Sequence, residues 1–118
     1  MDIQQKANGS VIIFKPQIPN LDVKSAPEFK SNMVKLIHAQ PSRQVVLDLG
    51  SIFFIDSSGL GSLISLLRVL QSEHGSLKLT NISKPIRTMF DLVSMDKIFE
   101  SFSTAEEAIK AFEDKPKS

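Results

Sequence analysis

Apolar positions along the chain change repeatedly between strand-like and helix-like spacing, which predicts strands alternating with helices. An apolar run at residues 11–14 follows an Asn8-Gly9 pair, and this combination predicts a β-hairpin over residues 3–14. Residues 16–22 contain two prolines and are predicted to form a loop.

The first helix is predicted to begin after this loop. The segment Ser25-Ala26-Pro27-Glu28 has the form of a capping box with proline in the first turn. The apolar stripe of the helix consists of Phe29, Met33, Leu36 and Ile37. Gln40-Pro41 marks its end, because proline cannot continue a helix.

The middle of the chain predicts a buried strand followed by a long helix. The strand covers residues 44–49, and an apolar run that contains Phe53 and Phe54 is expected to stay buried as the strand leaves the sheet. The helix has apolar residues at intervals of three and four, namely Leu60, Leu63, Ile64, Leu67 and Leu70. Gly75 is expected to stop this helix.

The last third of the chain continues the alternation. A strand around residues 77–82 precedes a helix that starts at Ser83-Lys84-Pro85. The inner face of that helix is predicted to be Ile86, Met89, Phe90 and Val93. Residues 97–102 are a candidate strand, and a second capping box at 103–107 begins an amphipathic last helix.

A strand, a helix and a further strand at this spacing imply a parallel crossover, so an α/β fold is expected. The hairpin adds antiparallel pairing at the edge. We therefore predict a small single domain over residues 1–113, with a mixed four- or five-stranded sheet and about four helices packed mainly on one face. A flexible, charged C-terminal tail is expected at residues 114–118.

Composition narrows the class of protein. The chain has 118 residues and no cysteine, which excludes thiol catalysis and disulfides. Fourteen basic residues nearly balance thirteen acidic ones and are interspersed with them, so neither nucleic acid nor a membrane surface is an expected partner. No apolar stretch approaches the roughly 20 residues that a membrane span requires, and a cytoplasmic location is expected.

The hexapeptide Asp56-Ser57-Ser58-Gly59-Leu60-Gly61 places two hydroxyls and two glycines where the apolar run changes to helical spacing. A helix N-terminus carries unpaired N–H groups and the positive end of the helix dipole. A hydroxyl can therefore cap it, and an added anion is tolerated there. We expect the hexapeptide to lie exposed at the carboxyl end of a central strand, the end where function is usually found in open α/β sheets.

Each of these residues also has a purely structural interpretation. Ser57 or Ser58 could serve only as the helix N-cap, and Asp56 could be only an Asx-turn residue. Gly59 and Gly61 could serve only close helix packing.

The sequence lacks the common motifs of enzymes and of metal sites. There is no Gly-x-Ser-x-Gly elbow or phosphate-binding loop, and Ser94-x-x-Lys97 lacks its companion motifs. His38 and His74 are predicted on helices without carboxylate or histidine partners at ligand spacing. No enzyme activity, no metal and no cofactor are expected.

The order of motifs resembles the anti-sigma factor antagonists of the STAS family over nearly the whole chain. The matching features are an apolar strand that ends in Asp48, the turn from Phe54 to Gly61, a long helix, the strand at 77–82 and Phe90-Asp91-Leu92 in a later helix.

This resemblance implies a binding protein that is switched by phosphorylation. In such antagonists the first serine after the aspartate, Ser57 here, is phosphorylated by a serine kinase that is itself the anti-sigma factor. Ser58 is the second candidate acceptor. The unphosphorylated form binds the kinase and thereby frees a sigma factor, and a serine phosphatase of the metal-dependent class resets the system.

The residues expected by position to bind the partner are Asp22, Asp56, Ser57, Ser58, Gly59, Leu60 and Gly61. Asp22 belongs to a loop that borders the partner surface in such proteins, and this chain carries proline there where the family often has glycine. Two alternatives remain open. One is a constitutive STAS adaptor subunit of a transporter or signalling complex in which Ser57 is never modified, and the other is a ligand-sensing module.

Overall fold

A computed structural model describes residues 1–113, in which a five-stranded sheet is covered by helices on both faces. The elements in chain order are β1 (Ile3–Asn8), β2 (Val11–Pro16), β3 (Asn20–Leu21), α1 (Ala26–His38), β4 (Gln44–Asp48), β5 (Phe54–Ile55), α2 (Ser57–Ser72), β6 (Ser76–Thr80), α3 (Lys84–Leu92), a 3-10 turn (Met95–Lys97), β7 (Glu100–Phe102) and α4 (Ala105–Glu113). The predicted tail at 114–118 lies outside the described residues.

The strands of the main sheet lie in the order β1-β2-β4-β6-β7. β1 and β2 pair antiparallel, which confirms the predicted hairpin, and the other neighbours pair in parallel. The predicted mixed sheet is thus confirmed with five strands. The last strand is shorter than predicted, because residues 95–97 form a 3-10 turn and β7 begins only at Glu100.

Helices α1, α2 and α3 contribute to one large core and α4 to a second, smaller one. The first core contains Phe29 of α1, Leu63 of α2 and Phe90 of α3, together with the inward residues of the strands. The second core consists of Val11, Val46, Ala108, Ile109 and Phe112, with Ile13 and Phe102 packed against it. The prediction of helices mainly on one face is therefore correct for three of the four helices, and α4 covers the other face.

Two very short strands, β3 and β5, form a separate parallel pair that the sequence did not predict. β3 lies within the segment 16–22 that was predicted as a loop. The Pro19 carbonyl accepts hydrogen bonds from the N–H groups of Phe53 and Phe54, at 2.8 and 3.2 Å. This pairing holds the segment before α1 against the segment before α2.

The two predicted capping boxes have different outcomes. Ser25 precedes α1 but has helical backbone angles, and its hydroxyl donates to the Asn20 carbonyl at 2.9 Å and accepts the Asp22 N–H at 3.0 Å. The first capping box is therefore wrong, because Ser25 stabilises the preceding turn instead. At α4, the Thr104 hydroxyl accepts the Glu107 N–H at 3.2 Å, as the second capping box predicted.

The end of α2 also differs from the prediction. His74, and not Gly75, adopts the left-handed backbone conformation, with φ of 61°. A Cβ at Gly75 would collide with the Arg43 carbonyl oxygen. The glycine is needed because two backbone segments approach each other closely, and the helix has already ended at Ser72.

Two apolar faces are shifted relative to the prediction. Leu66 is fully buried although it was not assigned to the stripe of α2, and Leu60, Ile64 and Leu67 lie half-buried at the edge of that stripe. Val93 was predicted to face inward on α3, but it follows the last turn of that helix and is exposed.

An ionic cluster joins the ends of α1 and α2. Glu73 contacts the His38 Nε2 at 2.8 Å and the Arg43 Nε at 2.7 Å. Arg43 also donates to the Ile37 and Gln40 carbonyls near the end of α1. His38 therefore has a carboxylate partner that the sequence did not predict, because residues 38 and 73 come together only in the folded chain. The His38 and Arg43 hydrogen bonds hold the pKa of Glu73 below its usual range.

A depressed carboxyl pKa predicts how the stability of a Glu73→Gln variant depends on pH. The stabilisation that ionised Glu73 provides is fully present above the pKa of the unfolded state, about 4.3 for glutamate. It is lost as the pH falls through the pKa that Glu73 has in the folded protein. We expect wild type to exceed the variant in free energy of unfolding at neutral pH, with the difference narrowing below about pH 4.3. Urea unfolding of both proteins at several pH values measures this difference. A difference that stays constant between neutral and acidic pH would contradict the assigned cause.

Candidate functional site

The carboxylate of Asp56 joins the start of α2 to the segment before α1. Asp56 is the N-cap of α2, and its Oδ1 accepts the Gly59 N–H at 2.9 Å. Its Oδ2 accepts the Val23 N–H, also at 2.9 Å. The interpretation of Ser57 or Ser58 as the N-cap is therefore wrong. A carboxylate has two oxygens, and each can accept one N–H group. A serine hydroxyl has a single oxygen, which cannot reach both the Gly59 and the Val23 N–H groups.

Asp56 is ionised at neutral pH. The hydrogen bond from the Gly59 N–H is the largest cause that lowers the pKa of Asp56. Desolvation opposes this effect, and the Val23 N–H lowers the pKa further. The site therefore carries a fixed negative charge on the residue before Ser57.

The two serines of the hexapeptide differ in their surroundings. Ser57 is the first residue of α2 and is exposed. Ser58 is half-buried and lines a groove of about 330 Å³ between α1 and α2, with Val23, Pro27 and Lys30 among its other lining residues. Because Asp56 provides the cap, the Ser57 hydroxyl has no capping role in the helix.

The two glycines of the hexapeptide also differ. A Cβ at Gly59 would collide with the Leu21 carbonyl oxygen and lie 2.8 Å from the Ile55 Cγ2. Gly59 is buried, so its role is the close packing of α2 against β3 and β5. Gly61 is exposed, and a Cβ there would meet nothing within 4 Å. Close packing therefore explains why residue 59 is glycine, but it does not explain why residue 61 is glycine.

Asp22 lies close to the hexapeptide in space, although it precedes Asp56 by 34 positions in the sequence. The Leu21 carbonyl accepts the Asp56 N–H at 3.2 Å, and Asp22 is the next residue. The Asp22 side chain accepts the N–H groups of Lys24 and Ser25, both at 3.1 Å, which makes it the centre of a tight turn. The structure thus brings together all the residues that were expected to bind a partner.

The position of the hexapeptide relative to the sheet differs from the prediction. It follows β5 directly, whereas residues 49–55 separate it from the end of β4. It therefore lies beside the small β3-β5 pair and not directly at the carboxyl end of a central strand.

Phe53 and Phe54 were predicted to be buried, and this prediction is wrong. Their side chains are 60% and 52% exposed, while Ile52 and Ile55 on either side are buried. Val23, whose N–H binds Asp56, is 65% exposed. No sequence pattern marks these two positions as exposed, because a run of four apolar residues is typical of a buried strand.

Residues 1–113 contain no group of three or more histidine, aspartate or glutamate side chains placed to hold a metal ion. Within the same residues, every helix is too short or too polar to cross a bilayer.

Comparison with known proteins places this geometry in a family. The family model described as the STAS domain matches residues 2–108. The chain belongs to the STAS family. Its five-stranded mixed sheet and four helices agree with the architecture of solved anti-sigma factor antagonists.

Three relatives illustrate the similarity. The anti-sigma-B factor antagonist of Bacillus subtilis strain 168 is 26% identical over 110 residues, which cover 93% of this chain and 96% of that protein. The structure of the anti-sigma factor antagonist SpoIIAA in its unphosphorylated form has a TM-score of 0.75 and 20% identity, covering 98% of this chain and 100% of that chain. Phosphorylated SpoIIAA from Bacillus has a TM-score of 0.66 and 20% identity, covering 94% and 99%.

The two glycines form a matched pair for a stability test. We expect Gly59→Ala to lower the free energy of unfolding by about 1–3 kcal/mol, because its Cβ meets backbone that cannot move freely. We expect Gly61→Ala to raise it by about 0.5–1 kcal/mol, because alanine is the better helix former and the space is open. Urea unfolding measures both variants. Equal effects of the two substitutions would contradict the packing role of Gly59.

Proposed function

We propose that this STAS protein is an anti-sigma factor antagonist controlled by phosphorylation of Ser57. Its unphosphorylated form binds an anti-sigma factor and thereby frees a sigma factor in the cytoplasm. Modification of Ser57 ends that binding. The proposed functional unit is residues 1–113, and its activity is binding and not catalysis.

The observation that carries this proposal is that Asp56, and not Ser57, caps α2, while Ser57 remains exposed. Asp56 caps α2 and holds the Val23 N–H, so the fold does not require the Ser57 hydroxyl for that purpose. The hydroxyl is exposed at the first position of the helix, where the unpaired N–H groups and helix dipole favour an added phosphate. Modification at this position is therefore compatible with a folded domain.

Charge gives a physical reason why phosphorylation would end binding. A phosphate adds about −1.5 to −2 charges at neutral pH. It would be attached directly beside the ionised Asp56 carboxylate, so residues 56 and 57 together would change from one negative charge to about three. A partner surface that complements the unmodified site would then face uncompensated charge, added bulk and a dianion that is costly to desolvate.

The proposed contact surface consists of Asp22, Asp56, Ser57, Ser58, Leu60 and Gly61, with Gly59 shaping it from below. Ser57 and Gly61 are exposed and can be reached directly, while Ser58 and Leu60 are half-buried. Gly59 is buried, so it holds α2 against the Leu21 carbonyl rather than meeting a partner.

The proposed partners are a serine kinase that is itself the anti-sigma factor and a serine phosphatase of the metal-dependent class. They can be identified biochemically. Each serine kinase with anti-sigma activity from the same genome is incubated with the protein and ATP, and phosphopeptide mapping locates the phosphate. Phosphate on Ser57 supports the switch. Phosphate only on Ser58 would move the switch by one residue, and modification of neither would favour the constitutive adaptor.

Substitutions at Ser57 test the charge mechanism. We expect Ser57→Ala to bind the kinase as tightly as unmodified wild type and to remain bound in the presence of ATP. We expect Ser57→Asp to bind at least about 10-fold more weakly, because it places a second carboxylate beside Asp56. Isothermal titration calorimetry with the recombinant kinase measures both affinities.

Ser103→Asp is the matched control, because it adds the same charge at an exposed position beside α4, on the opposite face of the sheet from α1 and α2. We expect it to bind as tightly as wild type. Circular dichroism establishes that each variant is folded. A folded Ser57→Asp variant that binds as tightly as wild type would rule out the charge mechanism.

A further inference from the structure

An exposed aromatic pair lies immediately before the phosphorylation site. The chain contains eight phenylalanines and neither tryptophan nor tyrosine. Six of the phenylalanines are buried or half-buried, whereas Phe53 and Phe54 are 60% and 52% exposed. Two neighbouring aromatic side chains on the surface are costly to leave in water, and aromatic residues are enriched at the centres of protein interfaces.

The backbone holds this pair in a defined place. Both N–H groups donate to the Pro19 carbonyl, and the buried side chains of Ile52 and Ile55 fix the segment on either side. Phe54 precedes Ser57 by three residues, so their Cα atoms lie within about 11 Å even in a fully extended chain. The pair therefore lies within reach of a partner that covers Ser57, and its fixed backbone keeps the cost of binding in conformational entropy low.

We propose that Phe53 and Phe54 are the apolar anchor through which the protein binds its anti-sigma factor. This inference rests on the proposed function and adds residues that the family motif did not indicate as contacts. Val23 adds a third exposed apolar side chain close to Asp56, since its N–H binds the Asp56 carboxylate and its side chain is 65% exposed. Asp56, two residues after Phe54, thus has exposed apolar side chains near it on both segments.

Charge favours a different protein over a second copy of this chain as the occupant. A two-fold symmetric contact presents the same patch from both copies. The carboxylates of Asp22 and Asp56 from both copies, four in all, would then be brought into one interface. A different protein can instead meet these carboxylates with cations while its apolar groups cover the two rings.

The anchor also strengthens the effect of phosphorylation. An interface centred on apolar rings excludes water, and a phosphate at Ser57 would have to be desolvated at its edge. The aromatic pair provides affinity for the partner, and phosphorylation of Ser57 prevents the partner from binding.

Alanine substitutions test the anchor against the kinase that phosphorylates Ser57. We expect Phe53→Ala or Phe54→Ala to raise the Kd for that kinase at least about 30-fold, as is typical of hot-spot residues. Ile98→Ala is the matched control, because Ile98 is 48% exposed and precedes the amino end of β7, whereas the site lies at the start of α2. We expect its Kd to remain within threefold of wild type. Calorimetric titration gives the Kd values, and circular dichroism establishes folding.

Other results would overturn the inference alone or the inference together with the proposed function. Kd values within threefold of wild type for both phenylalanine variants would overturn the inference while leaving the proposed function intact. If Phe54→Ala does not fold, Phe53→Ala decides alone, because its side chain is the more exposed. A wild-type dimer in sedimentation velocity that Phe53→Ala dissociates would assign the patch to a second copy and overturn the inference. Failure of wild type itself to bind the kinase would refute the proposed function and the inference with it.

Discussion

The two hydrogen bonds accepted by the Asp56 carboxylate hold the candidate site together. One oxygen caps α2 through the Gly59 N–H, and the other holds the Val23 N–H in the segment that leads to α1. Residues that lie far apart in the sequence thereby form one surface. The small β3-β5 pair and the close contact between Gly59 and Leu21 support the same arrangement from below.

This arrangement separates the residues that build the site from the residue that would regulate it. Asp56 and Gly59 hold α2 against the neighbouring segments, whereas Ser57 stands exposed on a helix start that Asp56 already caps. Under the proposed function, a change in charge at Ser57 alters binding without unfolding the domain. In the proposed switch the same aspartate would add to the effect, because its ionised carboxylate belongs to the residue next to the added phosphate.

The main architecture could be predicted from the sequence because each long strand or helix has several apolar residues at the spacing typical of its type. The hairpin, the parallel sheet and the helices all follow from such patterns. Contacts between distant segments could not be predicted. A two-residue strand such as β3 has no periodicity, and the hydroxyl of Ser25 was available both to a helix cap and to the turn at Asp22. Phe53 and Phe54 follow the pattern of a buried strand, and only the path of β5 shows that they face water.

The affinity of the phosphorylated protein for its anti-sigma factor tests the central claim most directly. Protein carrying phosphate on Ser57 alone is titrated into the anti-sigma factor, and the same batch is titrated again after treatment with a phosphatase. We predict no measurable binding before the treatment and full recovery of binding after it. Equal affinity in the two titrations would contradict the claim that charge at Ser57 controls docking.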